Sequence, residues 1–139
     1  IGRIEIGVCR ELCMPVTLNL SARLSAQAPV DRLIETARAA VPKPGAGKLT
    51  CAFSAAEDGM KLEIIVPSSE RTFDHAAIEL GNQRLWVDTP KLERQDGRLM
   101  ITAQIITPTG QPMAIGCDGV TTTIFAPNGA IEYRGCLGA

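Results

Sequence analysis

Aromatic side chains are nearly missing from this sequence: one Trp, one Tyr and three Phe make up 4% of 139 residues. Its core must therefore rest on Val, Ile, Leu and Ala. Charge of one sign is also missing, with 14 basic against 15 acidic side chains and a net charge of -1. The basic residues are scattered, which excludes a nucleic-acid footprint and a polybasic membrane patch. No apolar run approaches the roughly 18 residues needed to insert a helix across a bilayer. Gly-x-Ser-x-Gly, His-Glu-x-x-His and Cys-x-x-Cys do not occur, and the scattered Glu and Asp offer no defensible acid–base pair. There is no initiating Met, charged n-region or apolar h-region, so no signal peptide is visible. The chain opens at Ile1 already in a strand pattern and reads as a mature or trimmed piece of something longer.

What is present is ordinary in bulk: 45% hydrophobic and 21% charged residues, as in a soluble globular protein. The length predicts one domain, 1–139, with room for a real core. In residues 3–9, Ile4, Ile6 and Val8 alternate with Arg3, Glu5 and Gly7, the period of a strand. In residues 14–24 the apolar set is Met14, Val16, Leu18, Leu20, Ala22 and Leu24, with Thr17, Asn19, Ser21 and Arg23 on the other face. From about Pro29 to Val41 the period turns helical through Leu33, Ile34, Ala37 and Val41, with Asp31 near the start and Pro42 closing the segment. Residues 42–47 read as a loop.

The remainder reads as short strands between turns. Residues 49–55 and 60–66 flank Glu57-Asp58-Gly59, and residues 91–95 and 98–106 flank Asp96-Gly97, the strongest hairpin dipeptide here. Residues 120–125 and 130–134 flank Pro127-Asn128-Gly129, and shorter strands are expected at 76–80 and 85–87. Many strands with regular turns predict a mainly β fold, an antiparallel immunoglobulin-like β-sandwich with one short helix.

Five cysteines carry the chemistry: Cys9, Cys13, Cys51, Cys117 and Cys136. The odd number permits two bridges and leaves one thiol, and spacing alone does not choose among the connectivities. The hairpin pattern is more informative. With Arg10, Glu11 and Leu12 as its loop, Ile4 faces Leu18, Ile6 faces Val16, Val8 faces Met14, and Cys9 faces Cys13. One register thus satisfies the apolar and polar faces together. Opposed Cβ atoms lie roughly 4.5–5.5 Å apart, and a disulfide wants about 3.5–4.5 Å. Modest adjustment closes the bond, with both sulfurs on the polar face and open to a partner thiol. A Cys9–Cys13 bridge closes so small a ring that chain entropy gives it only about 2 kcal/mol. A Cys51–Cys136 bridge would close most of the domain and is worth about 4.6 kcal/mol on the same reasoning. The first is a poor staple and a plausible redox pair; the second is a plausible structural disulfide. Cys117, in Ile115-Gly-Cys-Asp-Gly119, reads as an unpaired small residue in a turn.

The run Ile4-Glu-Ile-Gly-Val-Cys-Arg-Glu-Leu-Cys-Met-Pro-Val-Thr-Leu18 resembles the cysteine motif of DsbD-type thiol:disulfide interchange proteins, in their N-terminal periplasmic domain. Leu49-Thr-Cys51 and Tyr133-Arg-Gly-Cys136 also look like the protein-disulfide reductase branch, with its suppressor-of-copper-sensitivity relatives. The resemblance implies an immunoglobulin-like fold, a periplasmic address and a relay role without a cofactor. Electrons would pass from a membrane-embedded partner to oxidised periplasmic proteins. It implies that Cys9 and Cys13 are the redox pair, with Cys13 forming mixed disulfides and Cys9 resolving them. The best-known members place more than three residues between their cysteines, and the aromatic cap that shields their pair is not identifiable here. From the residues themselves, Arg10 beside Cys9 favours a thiolate and Glu11 opposes it.

A rival reading takes Cys9, Cys13 and Met14 as soft ligands for Cu(I), as in copper-assembly factors with a thioredoxin fold, with His75 as the distant fourth group. A lone His is more often structural, and the strand and helix order of a thioredoxin fold is missing. A second rival is an interaction sandwich with two inert disulfides. Gly45-Ala-Gly-Lys48 is no P-loop, since Pro42 replaces the first glycine and Leu49 the Ser/Thr. Asn19-Leu-Ser21 is a sequon of a kind common by chance, and Trp86 is expected in the core.

Overall fold

The computed structural model describes residues 1–23, 25, 29–67, 73–81 and 85–139. The expected strand end at Leu24 lies outside these residues. By internal contacts the chain divides into two compact units, Ile1–Thr36 and Ala37–Ala139.

The first unit is a two-stranded antiparallel hairpin, β1 (Gly2–Cys9) and β2 (Cys13–Leu20), followed by the opening of a helix. Its register pairs Gly2 with Leu20, Ile4 with Leu18, Ile6 with Val16, Val8 with Met14 and Cys9 with Cys13. This is the register in which alternation satisfies both faces, and slipping it by one residue would exchange them. The helix α1 (Arg32–Ala39) is shorter than the pattern predicts at both ends. Asp31 caps it: its side-chain oxygen accepts from the Leu33 N–H at 2.8 Å, and its carbonyl accepts from the Glu35 N–H at 3.0 Å. None of its residues is buried, so the apolar spacing of Leu33, Ile34 and Ala37 marks a helix without a buried face.

The second unit is the sandwich. One sheet has the order β3-β11-β10-β6, built from β3 (Lys43–Pro44), β6 (His75–Leu80), β10 (Val120–Ala126) and β11 (Gly129–Arg134). The other has the order β12-β4-β5-β9-β7, from β4 (Leu49–Ala56), β5 (Gly59–Val66), β7 (Trp86–Val87), β9 (Arg98–Ile106) and β12 (Cys136–Gly138), with β8 (Lys91–Gln95) also on β9. The architecture is an immunoglobulin-like β-sandwich. Two short edge pairings, β3 with β11 and β12 with β4, are parallel and depart from the antiparallel expectation.

Period-2 alternation builds the core. Along β5, Met60, Leu62, Ile64 and Val66 point inward; along β9, Leu99, Ile101, Ala103 and Ile105 meet them, with Ile64 directly opposite Ile101. Val120 and Ile124 of β10 and Ile78 of β6 close the core from the facing sheet. The aliphatic character follows from the shortage of aromatics. Trp86, expected inside, is 68% exposed beside Ile106 because β7 is a two-residue edge strand. The β8–β9 turn puts Asp96 at φ 50° and Gly97 at φ 74°, the left-handed pair that matches the twist of a two-residue hairpin.

Candidate functional site

Cys9 ends β1 and Cys13 begins β2, so the cysteines form the last rung of the ladder before the loop. Their Cα atoms are 4.0 Å apart and their sulfurs are bonded. That spacing belongs to a close, non-hydrogen-bonded pair at a strand end. The loop Arg10, Glu11 and Leu12 is exposed throughout, and the Arg10 N–H donates to the Leu12 carbonyl at 3.4 Å. Both bridged residues are exposed. Two rungs back, on the same face as the bridge, Gly7 faces Pro15, so on the β1 side no side chain stands next to the disulfide along that face. Two residues further back, Arg3 donates to Glu5 at 2.7 Å on the same strand.

The same alternation separates the rival metal ligands. Cys13 and Met14 are neighbours in a regular strand, so they project to opposite faces of the hairpin. Cys9, Cys13 and Met14 therefore do not converge on one ion. His75 sits on β6 as the exposed register partner of Phe125.

Cys51 and Cys136 are joined in the sandwich, 85 residues apart in sequence and 5.8 Å apart at Cα. Both are buried, at 2% and 4% exposure. They link β4 to β12, which already lie side by side with Cys136 opposite Leu49 and Gly138 opposite Cys51. Cys117 begins a single 3₁₀ turn, Cys117–Gly119, is half-buried and carries a free thiol. Its sulfur and those of Cys51 and Cys136 all lie within 4.8 Å of one another. Sequence reasoning missed this convergence because three distant segments create it, and nothing local to residues 115–119 signals it.

Near Cys117, Lys48 Nζ lies 3.8 Å from an Asp118 carboxylate oxygen, a long and exposed pair. On β11, Arg134 donates to Glu132 at 2.7 Å, and that bond with its charge attraction raises an arginine pKa that is already high.

These features define a class: an immunoglobulin-like β domain with an exposed, cystine-closed hairpin. The crystal structure of the N-terminal periplasmic domain of ScsB from Proteus mirabilis has the same fold, with a TM-score of 0.61 at 15% identity. The likeness covers 95% of this chain and 54% of that one, so the chain spans about half the length of the solved structure. An N-terminal periplasmic domain is also the kind of domain that the cysteine run resembles. No protein-family model and no curated protein matches the sequence. No helix among the described residues is long and apolar enough to cross a membrane. Chemically, an exposed Cys-x-x-x-Cys disulfide is a group that thiol–disulfide exchange can use.

Proposed function

We propose that this chain is a periplasmic protein-disulfide reductase module that relays electrons from a membrane-embedded donor to oxidised periplasmic proteins through Cys9 and Cys13. One observation carries the reading: two cysteines held opposite each other across a three-residue loop, bonded, exposed, and flanked on their own face by Gly7 and Pro15. A bridge that closes so small a ring holds little of the fold together, and an exposed bridge is the labile kind.

The cycle needs only the two thiols. In the reduced pair, the Cys13 thiolate attacks one sulfur of a substrate disulfide and releases the other as a thiolate. The Cys9 thiolate then attacks Cys13 in the mixed disulfide, re-forming the Cys9–Cys13 bond and releasing the substrate's second thiol. Two electrons have moved to the substrate, and the donor restores both cysteines by the same chemistry in reverse. In this reading Cys51–Cys136 is the structural disulfide of the sandwich.

The test is transfer to an oxidised protein substrate from the reduced chain. Cys13→Ala is expected to abolish transfer, and Cys9→Ala to accumulate mixed disulfides. Wild-type rates in both variants would remove the assignment. The copper reading predicts instead tight one-to-one Cu(I) binding by the reduced chain that is lost in Cys13→Ser.

A further inference from the structure

We propose that the sandwich contains a second exchange centre, in which Cys117 displaces Cys136 from its bridge and takes its place on Cys51. The inference concerns a different set of sulfurs from the hairpin pair and does not depend on it.

Three observations converge. A free thiol beside a disulfide is the reactant pair for exchange, and the three sulfurs here lie within 4.8 Å of one another. Next, the position of the thiol is marked by Gly138. A Cβ built on Gly138 would lie 4.0 Å from the Cys117 sulfur, and Gly138 is the register partner of Cys51. Cys117 therefore lies on the face of β12 that carries the bridge, beside the residue paired with Cys51, and we assign the attack to Cys51 because that leaves Cys136 as the leaving group. Finally, the leaving group has a place to go. The Cys136 sulfur lies 3.7 Å from the Cys117 carbonyl oxygen. In the bridged state this is a contact without a proton, but a released Cys136 thiol would have that oxygen as its acceptor.

The step balances without any oxidant or reductant. Cys117 gives its proton to solvent and attacks Cys51. The Cys51–Cys117 bond forms as the Cys51–Cys136 bond breaks, and the departing Cys136 thiolate takes up a proton. One disulfide and one thiol enter, and one of each leaves. The consequence is mechanical. The covalent tether moves from β12 to the 3₁₀ turn before β10, which leaves the three-residue edge strand β12 held by backbone pairing and the packing of Cys136, with no covalent link.

The experiment uses the full chain with Cys9→Ala and Cys13→Ala, so that no hairpin thiol takes part. The folded protein is held at pH 8.5, alkylated with N-ethylmaleimide under native conditions and mapped by peptide mass spectrometry. The expected result is label on Cys136 together with a Cys51–Cys117 cross-linked peptide, both lost when Cys117→Ser is added. In parallel, Cys136→Ser, oxidised with a small disulfide such as oxidised glutathione, is expected to close the Cys51–Cys117 bond. Label confined to Cys117 in the parent, label on Cys51 in place of Cys136, or two free thiols in a folded Cys136→Ser overturns the proposal. Should Cys136→Ser fail to fold, the mapping of the parent decides alone.

Discussion

A methyl group added to Gly7 would sit 3.8 Å from the Cys9 sulfur, in ordinary contact with it and with nothing else nearby. Gly7 shares the bridge's face, two residues back along β1, and faces Pro15 across the hairpin. The missing side chain at Gly7 leaves the β1 flank of the disulfide open along the strand. Larger side chains at position 7 would stand in that approach while leaving the sulfurs and their register in place. Gly7→Val is therefore expected to slow reduction of the Cys9–Cys13 bridge by a protein thiol on the order of tenfold, about 1.4 kcal/mol of barrier. Reduction by a small thiol such as dithiothreitol should change much less. Stopped-flow or quenched alkylation with both reductants checks the contrast, and equal slowing would show that Gly7 acts on the bridge itself.

The two disulfides are expected to differ sharply in what they do for stability. Cys9–Cys13 spans four residues and lies exposed, whereas Cys51–Cys136 spans 85 and lies buried. Chain entropy assigns them about 2 and about 4.6 kcal/mol. The double variant Cys51→Ala with Cys136→Ala should lose most of the larger figure, and it also trades two packed sulfurs for smaller groups. Cys9→Ala with Cys13→Ala should leave the urea midpoint of the sandwich near its wild-type value. Urea unfolding at constant m-value separates the two outcomes. A large loss from the hairpin pair would recast it as a staple.

The hairpin was legible because strand periodicity is 2: once Ile4, Ile6 and Val8 are set against Leu18, Val16 and Met14, the position of Cys9 opposite Cys13 is forced. The β8–β9 and β4–β5 hairpins were legible for a related reason, since Asp96-Gly97 and Asp58-Gly59 sit between alternating runs. Other features were not. Periodicity spoke for a helix from Pro29 to Val41, but helical hydrogen bonding begins only after the Asp31 cap and ends at Ala39. The parallel edge strands β3 and β12 are two and three residues long, too short to show any period. Trp86 was assigned to the core on residue type, while edge position decided its exposure. Cys117 was legible as an unpaired residue in a turn, but its place beside the Cys51–Cys136 bridge was not: its neighbours come from β4 and β12, and no window around residue 117 contains them.

Two glycines with positive φ make a last, quantitative test of the sandwich. Gly97 is at φ 74° in the β8–β9 turn, and a Cβ there would meet open space. Gly59 is at φ 138° where β5 begins, and a Cβ there would run into the backbone carbonyl of Ile105 on the paired strand β9. The first site is hostile to a side chain only through its dihedral angle, a cost of about 1–2 kcal/mol for a left-handed residue. The second adds a collision with main chain, which cannot swing aside as a side chain would, in a region of φ that costs about 1–3 kcal/mol by itself. Gly59→Ala is therefore expected to lower stability by more than Gly97→Ala, with a displaced β5–β9 ladder as the added cause. Urea midpoints give the order, and hydrogen exchange gives the location. Loss of protection at Met60 and Ile105 in Gly59→Ala, with both amides still protected in Gly97→Ala, is the pattern required. Equal losses in the two variants would mean that the dihedral angle alone sets the cost and that the ladder yields to a methyl group without penalty.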